Sequence, residues 1–121
     1  MTIADLEARL GYASLVAYTD AELAGAYTSD LLSDVIAHAP ENSVLITLQA
    51  HKNTVACASL AGVLALVLTG KAEVPADLLD AARQENLAVF RTADNQFTAS
   101  WKIAGLLGLG LGPIPGSKEN L

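Results

Sequence analysis

The stretch Ser43–Lys71, SVLITLQAHKNTVACASLAGVLALVLTGK, decides the fold. Its first six residues are apolar and rich in branched side chains, as in a strand buried on both faces. A polar interruption, Gln49–Asn53, precedes a run of small residues, Thr54–Ala61, that predicts a short helix. Gly62 ends this helix, and Val63–Leu68 predicts a second strand. Strand, helix and strand so close together predict a βαβ unit with parallel strands and a right-handed crossover.

The same stretch raises the alternative of a membrane span. Residues 53–70 are 18 residues without a charge, close to the length that crosses a bilayer. Asn53, Thr54, Ser59 and Gly62 make the run too polar for a good span, and its pattern changes from helix-like to strand-like after Gly62. A buried βαβ unit explains the same residues, so we expect no membrane contact.

Length and composition restrict the classes of function. The chain has 121 residues, 52% hydrophobic, which suits one domain with one core. Its net charge is −6 and it has no basic cluster, so a nucleic-acid partner is disfavoured. The start of the chain has no signal-peptide pattern, and the single cysteine, Cys57, allows no internal disulfide. We therefore expect a cytoplasmic protein.

Around the central unit, the pattern predicts further strands and helices. Helices are expected over Thr2–Leu10, over residues 30–39 with Ser29 as the cap, from Pro75 to Asn86, and after Asp94 or Asn95. Further strands are expected over Tyr12–Tyr18, in the second half of Leu23–Thr28, and over Leu87–Arg91. The prediction is a single α/β domain, residues 1–108, with a mainly parallel sheet and helices on both faces in three layers. Residues 109–121 are expected to form a Gly- and Pro-rich tail.

Three threonines mark where the predicted strands end. Thr47, Thr69 and Thr92 are 22 and 23 residues apart, and each is followed by a predicted helix. Because ligands of open parallel sheets bind beyond the carboxyl ends of the strands, the loops there form the candidate site. The candidate ligand-binding residues are Tyr27, Ser29, Gln49, His51, Asn53, Thr69, Gly70 and Thr92. Helix N-termini in these loops suit a small anion, and Lys71 adds charge; the alternative is that the hydroxyl and amide residues only cap helices.

Several tempting motifs are given no function. His51 has no second histidine or cysteine at ligand spacing, so no metal or other cofactor is predicted, and it is interpreted as a polar loop residue. Gly70-Lys71 lacks the rest of a phosphate-binding loop, and the glycines at 108, 110 and 112 follow a helix rather than a strand. Cys57 is expected to be a small buried residue. Phe97 and Trp101 are assigned to the core, with a dimer interface as the alternative for Trp101.

The run Leu68–Gly105, LTGKAEVPADLLDAARQENLAVFRTADNQFTASWKIAG, resembles the DRTGG domain, a family related to the N-terminal domain of HPr kinase/phosphorylase. The resemblance is carried by Thr69-Gly70, Pro75, Val89, Thr92 and Phe97, and it extends over residues 25–108. In the signature pentapeptide only Thr69-Gly70 is retained, and Lys71 replaces the last glycine. The kinase's phosphate-binding loop is absent. The resemblance therefore implies the α/β fold and a regulatory or dimerising module, without kinase activity or catalytic residues to transfer.

Three hypotheses of function follow from these observations. The first is a non-catalytic regulatory module, a homodimer, that binds a small anionic ligand such as a nucleotide or docks on a partner enzyme. The second is a structural adaptor without a small ligand, whose interface is formed by Trp101 and the apolar residues 103–114. The third, the least favoured, is a small enzyme with His51 as its general base.

Overall fold

A computed structural model describes residues 1–111. The helices are α1 (Ile3–Ala8), α2 (Leu32–His38), α3 (Lys52–Ala61), α4 (Ala76–Gln84) and α5 (Gln96–Leu106). The strands are β1 (Ala13–Ser14), β2 (Gly25–Thr28), β3 (Ser43–Thr47), β4 (Ala65–Leu68) and β5 (Ala88–Arg91). They form one five-stranded sheet in the order β1-β5-β4-β3-β2.

Four strands of the sheet are parallel. β3 pairs with β2 and β4, β4 pairs with β5, and β1 pairs antiparallel with β5. In the central unit Thr47 lies opposite Leu68, so the predicted parallel βαβ unit is confirmed. All residues of β3 and β4 are buried, which explains why both strands read as continuous apolar runs.

Helices cover both faces of the sheet, so the predicted three-layer α/β fold is confirmed. On one face Val35, Val55 and Leu78, from α2, α3 and α4, pack on Leu45 and Leu66. The opposite face is covered by α1 and α5, whose buried residues Ile3, Leu6, Ala99 and Ile103 share a second cluster with Val44, Ile46, Val67 and Phe90. The three crossovers from β2 to β5 step in one direction with their helices on one face, so they share one hand, which is right-handed by the general rule.

The structure corrects the prediction at the first strand. The strand predicted over Tyr12–Tyr18 contains only Ala13 and Ser14. The Leu15 N–H still donates to the carbonyl of Val89 in β5 at 2.9 Å, while the Ser14 hydroxyl forms a local bond to the carbonyl of Val16 at 3.0 Å.

Two helix starts also differ from the prediction. α2 begins at Leu32 with Leu31 at its N-cap, not Ser29, because the neighbouring Asp30 carboxylate binds the end of β3 instead of the helix. α3 begins at Lys52, so Asn53 lies in its first turn and not in the loop before it. By contrast, Asn95 caps α5 as predicted, since its side chain accepts from Thr98 N–H at 2.9 Å.

The sequence predicted that the aromatic residues of α5 lie in the core, and the structure shows that they do not. Phe97 and Trp101 are 82% and 68% exposed, because Ala99 and Ile103 occupy the side of the helix that faces the sheet. Cys57 is half-buried, not buried. The predicted tail, 109–121, is described only as far as Leu111, and α5 itself continues through Gly105 to Leu106.

Candidate functional site

The parallel strands bring most of the predicted site residues to one edge of the sheet. Ser29 follows β2, Gln49 and His51 follow β3, Thr69 and Gly70 follow β4, and Thr92 follows β5. Asn53 is the second residue of α3, the helix that starts at this edge. Because β2 to β5 are neighbours in sequence order, these loops lie side by side. Ligand crevices in open parallel sheets form where the order of the strands changes direction. The order does not change direction among β2, β3, β4 and β5, so no such crevice forms among their loops.

The side chain of Tyr27, another predicted site residue, points toward α2 and not toward the loops at the carboxyl edge. It lies within β2, and its hydroxyl donates to the two carboxylate oxygens of Asp34 in α2 at 2.8 and 3.0 Å. Nδ1 of His38 is 2.8 Å from the same carboxylate. The hydroxyl of Ser29, then His38 and Tyr27, lower the pKa of Asp34 through hydrogen bonds. Ser29 and Tyr27 thus share Asp34 on the α2 side of β2, while Gln49 and His51 lie beyond the end of β3.

Two of the predicted hydroxyls are engaged inside the sheet edge. Thr69 is fully buried and donates to the carbonyl of Thr47 at 3.4 Å. The hydroxyl of Thr92 accepts from the N–H of Asp94 at 3.0 Å. These contacts fix the loops that follow β4 and β5, so Thr69 and Thr92 have structural roles at this edge.

The turn after β4 depends on backbone geometry that favours glycine. Gly70 has φ +72°, and its N–H donates to the carbonyl of Asp94 at 2.9 Å. Lys71 has φ 58°, and its N–H donates to the carbonyl of Thr92 at 3.2 Å. A Cβ at Gly70 would lie 3.2 Å from Cδ2 of Leu48. The turn is therefore hydrogen-bonded to the loop after β5, and the exposed Lys71 side chain lies at the edge.

The start of α3 presents polar side chains to solvent. His51 is the N-cap, and its Nδ1 accepts from the N–H of Asn53 at 3.0 Å. Gln49 is held by its carbonyl, which accepts from the Thr54 hydroxyl at 2.7 Å. The side chains of Gln49, His51, Lys52 and Asn53 are exposed. In a neutral imidazole bound in this way, Nε2 carries the proton, so His51 can donate a hydrogen bond to an anion.

Sequence reasoning missed the residue that ties this edge together, Asp30. Its Oδ1 accepts from the Thr47 hydroxyl at 3.0 Å, from Leu48 N–H at 2.8 Å and from Nε2 of Gln96 at 2.6 Å. One carboxylate oxygen thus joins the end of β2, the end of β3 and the first turn of α5. The available signal was an aspartate placed directly after a strand.

Asp94 is a second anchor, at the other side of α5. Its Oδ2 accepts from the Tyr12 hydroxyl at 2.8 Å and from Nζ of Lys102 at 2.9 Å. The Lys102 bond, and then the Tyr12 bond, lower the pKa of Asp94. Burial, followed by the hydrogen bond and charge of Asp94, raises the pKa of Tyr12. The sequence reading treated Asp94 only as a possible helix cap.

An apolar cleft of about 320 Å³ lies away from the polar edge, between β2 and α5. It is lined by Ala26, Tyr27, Thr28, Ile46, Ser100, Ala104 and Leu109. The hydroxyls of Thr28 and Ser100 are 2.7 Å apart at one end. No sequence pattern indicated this cleft, because it forms where small residues of a helix meet the outer strand of the sheet.

The described residues offer neither a metal site nor a membrane span. Within residues 1–111, no group of three or more His, Cys, Asp or Glu side chains is placed to hold a metal ion. Over the same residues, no helix has the length and apolar character needed to cross a bilayer.

Fold and edge together define a small three-layer α/β domain with a progressive parallel sheet and polar loops at its carboxyl edge. The chain belongs to the DRTGG domain family, whose family profile matches residues 19–106. This result confirms the resemblance that the sequence indicated.

A solved structure with the same fold contains the CBS and DRTGG domains of the regulatory region of Clostridium perfringens pyrophosphatase, complexed with the activator diadenosine tetraphosphate. The TM-score is 0.66 at 14% identity, over 97% of this chain and 51% of that chain. The chain thus spans about half the length of this neighbour, and the likeness concerns the fold alone. A search among curated proteins found no match.

Proposed function

We propose that the chain is a non-catalytic regulatory module that binds a small anionic ligand of the nucleotide class at the carboxyl edge of its sheet. We call the exposed side chains there the anion surface; they are Gln49, His51, Lys52, Asn53, Lys71 and Arg91. The observation that carries the proposal is the concentration of cations. Three of the seven Lys and Arg residues of a chain with net charge −6 lie on this surface.

The electrostatics of the edge support an anion. Lys52, Lys71 and Arg91 form no ion pair within the part of the chain that the structure describes. The carboxylates of Asp30 and Asp94 at the same edge are engaged by hydrogen-bond donors. Phosphate oxygens therefore meet exposed cations, the Nε2 side of His51 and the first turn of α3.

The role of His51 favours binding over catalysis. A general base needs a nitrogen that is free to take a proton, yet Nδ1 already accepts the Asn53 N–H. Protonation of Nδ1 would break the N-cap of α3. The pyrophosphatase neighbour supports the ligand class, since its regulatory region was crystallised with a dinucleotide activator. The relation to HPr kinase/phosphorylase and the cytoplasmic location stay predictions.

Thermal shift with ATP and with diadenosine tetraphosphate tests the proposal. Ligand that binds only the folded state adds about 2.7 kcal/mol of stability at 100 times its Kd, so the melting temperature must rise with concentration. The double variant His51→Asn and Asn53→Ala keeps a capping side chain but loses the imidazole and the amide, and we expect it to lose the shift.

A charge variant in the same loops should have the opposite effect on nucleotide binding. Glu73→Gln removes an exposed negative charge close to Lys71 in sequence, so it should strengthen nucleotide binding. A nucleotide-induced shift that survives the double variant would move the site away from α3. The absence of any shift with either nucleotide would contradict the proposed ligand class.

A second candidate, an adaptor that forms a homodimer or docks on a partner enzyme through α5, is favoured by one observation. Phe97 and Trp101 lie one turn apart on α5 and are 82% and 68% exposed. Aromatic side chains of this kind are enriched at the centres of protein interfaces. Trp101→Ser should lower the mass in analytical ultracentrifugation to that of a monomer. Leu60→Ser is the matched control, because Leu60 is 74% exposed on α3, away from α5.

A further inference from the structure

Three exposed apolar residues are grouped at the Asp30 carboxylate. Leu31 follows Asp30 in the sequence, and the N–H of Leu48 donates to Oδ1 of Asp30 at 2.8 Å. Phe97 follows Gln96, whose Nε2 donates to the same oxygen at 2.6 Å. The side chains of Leu31, Leu48 and Phe97 are 65%, 52% and 82% exposed. They are three of the seven large apolar residues that lie exposed among residues 1–111, and we call them the apolar rim.

The apolar rim adjoins the anion surface at Leu48. Gln49, the next residue, already belongs to the anion surface. A Cβ built on Gly70 would lie 3.2 Å from Cδ2 of Leu48, so the Leu48 side chain lies against the turn that carries Lys71. One continuous surface therefore changes from apolar to cationic within a few residues of Leu48.

The charges along this surface have a definite order. Within residues 1–111, Asp30 accepts hydrogen bonds from a hydroxyl, a backbone N–H and a side-chain amide, and it forms no ion pair. Its negative charge therefore remains at the apolar rim. Lys71 follows β4 and Arg91 ends β5, farther along the same edge. A phosphate is repelled at the rim and attracted by these cations, whereas an uncharged group can occupy the rim without that repulsion.

The span of the surface suits a nucleotide. Thr47, Leu68 and Arg91 are in register across β3, β4 and β5. Neighbouring strands lie about 4.8 Å apart, so the end of β3 is roughly 10 Å from Arg91. A base that is joined through its ribose to two or three phosphates covers this distance. A free phosphate would meet only the cationic part.

We propose that the ligand of the anion surface is a nucleotide whose base stacks on the Phe97 ring at the apolar rim, while its phosphates lie on the cations. This inference rests on the proposed function and identifies the second half of the same site. Every base has an aromatic face, so an exposed aromatic ring can hold it by stacking whatever its hydrogen-bonding pattern. Leu31 and Leu48 supply apolar area beside the ring.

The backbone that carries Phe97 is held in place without a ligand. The preceding residue, Gln96, is bonded to Asp30 at 2.6 Å. On the other side of Gln96, Asn95 caps α5 by accepting from Thr98 N–H at 2.9 Å. A binding residue whose position is fixed beforehand loses less conformational entropy when the ligand arrives.

Isothermal titration calorimetry with ATP and with inorganic tripolyphosphate tests the inference, because the two ligands share their phosphates and differ in the nucleoside. Phe97→Ser should weaken the binding of ATP about tenfold and leave the binding of tripolyphosphate unchanged. An equal effect on both ligands, or no effect on either, would overturn the inference and leave the anion surface intact. If neither ligand binds the unaltered chain, the proposed function fails, and the inference fails with it.

Three further variants separate stacking from simple apolar contact. Phe97→Tyr keeps the aromatic face and should keep the affinity for ATP, whereas Phe97→Leu keeps only apolar area and should lose most of it. Trp101→Ser is the matched control, since it removes an exposed aromatic ring one turn farther along α5. Undiminished ATP binding in Phe97→Leu would overturn the stacking. A loss in Trp101→Ser as large as that in Phe97→Ser would overturn the position assigned to the base.

Discussion

Replacing Asp30 by alanine removes the one acceptor that three donors share. Oδ1 of Asp30 binds the Thr47 hydroxyl, Leu48 N–H and Gln96 Nε2 at 3.0, 2.8 and 2.6 Å. A hydrogen bond to a charged group contributes about 1.5–3 kcal/mol, and a buried donor left without a partner costs about 1–3 kcal/mol. Thr47 is fully buried, but the other two donors can regain water. We therefore expect Asp30→Ala to lower the free energy of unfolding by about 2–4 kcal/mol.

Urea denaturation followed by far-ultraviolet circular dichroism measures this loss. The midpoint should fall while the m-value stays unchanged, since the surface exposed on unfolding is the same. Asp30→Asn keeps an oxygen at the same position, so it should lose about 1 kcal/mol or less. Asp80→Ala is the matched surface control, because the side chain of Asp80 is 69% exposed and pairs only with Arg83.

The reasoning fails if Asp30→Ala and the Asp80→Ala control have the same stability. It also fails if Asp30→Ala and Gln96→Ala are additive in a double-mutant cycle. Two residues that share a hydrogen bond of 2.6 Å should show a coupling energy of at least about 0.5 kcal/mol. A strictly additive result would mean that the Asp30–Gln96 contact does not join the sheet to α5 in solution.

Three further predictions concern two glycines, the hydroxyl of Tyr12, and the carboxyls of Asp34 and Asp94. Gly70→Ala should lower the free energy of unfolding by about 1–2 kcal/mol, because Gly70 has φ +72°. Gly105→Ala should raise it by about 0.5–1 kcal/mol, because Gly105 lies inside α5 with open space around its Cβ position. The urea midpoints of the two variants check both changes. Tyr12→Phe removes the hydrogen bond to Asp94 and should lower the free energy of unfolding by about 1–2 kcal/mol. Because the folded pKa of Tyr12 is raised, the stability of the unaltered chain should fall as pH rises above about 10. The folded pKa values of Asp34 and Asp94 are lowered, so their stabilisation is present above about pH 4 and is lost as pH falls through the folded values; an acid titration of the melting temperature that is flat below pH 4 would contradict this.

The fold was predictable from sequence where one local signal had one structural meaning. Residues 43–68 alternate between apolar strands and a small-residue helix, and this pattern placed β3, α3 and β4 within two residues of their observed bounds. The first strand was overpredicted: its apolar residues satisfy a strand pattern, but the strand itself contains only Ala13 and Ser14. Aromatic spacing on α5 also misled, since Phe97 and Trp101 recur at helical spacing on the side opposite the sheet.

The candidate site was predictable only at the level of loops. The rule for parallel strands correctly brought residues after β2, β3, β4 and β5 to one edge. It could not tell which polar groups face inward, because the hydroxyls of Thr69 and Thr92 look the same in sequence as exposed ones. Asp30 was missed for a related reason: its partners Thr47 and Gln96 are 17 and 66 residues away. Local pattern does not report such contacts.

Asp30 and Asp94 link helix α5 to the carboxyl edge of the sheet. Asp30 holds the first turn of α5 to the ends of β2 and β3 through Gln96, and Asp94 holds the same helix through Lys102 while also binding Tyr12. The helix that presents Phe97 and Trp101 is therefore hydrogen-bonded to the edge that carries the anion surface. A ligand influences a distant surface only through an element whose arrangement both sites affect. Under the proposed function, α5 is therefore the element through which ligand binding would act on a partner. The regulatory hypothesis and the adaptor hypothesis are then compatible, because both depend on the position of α5.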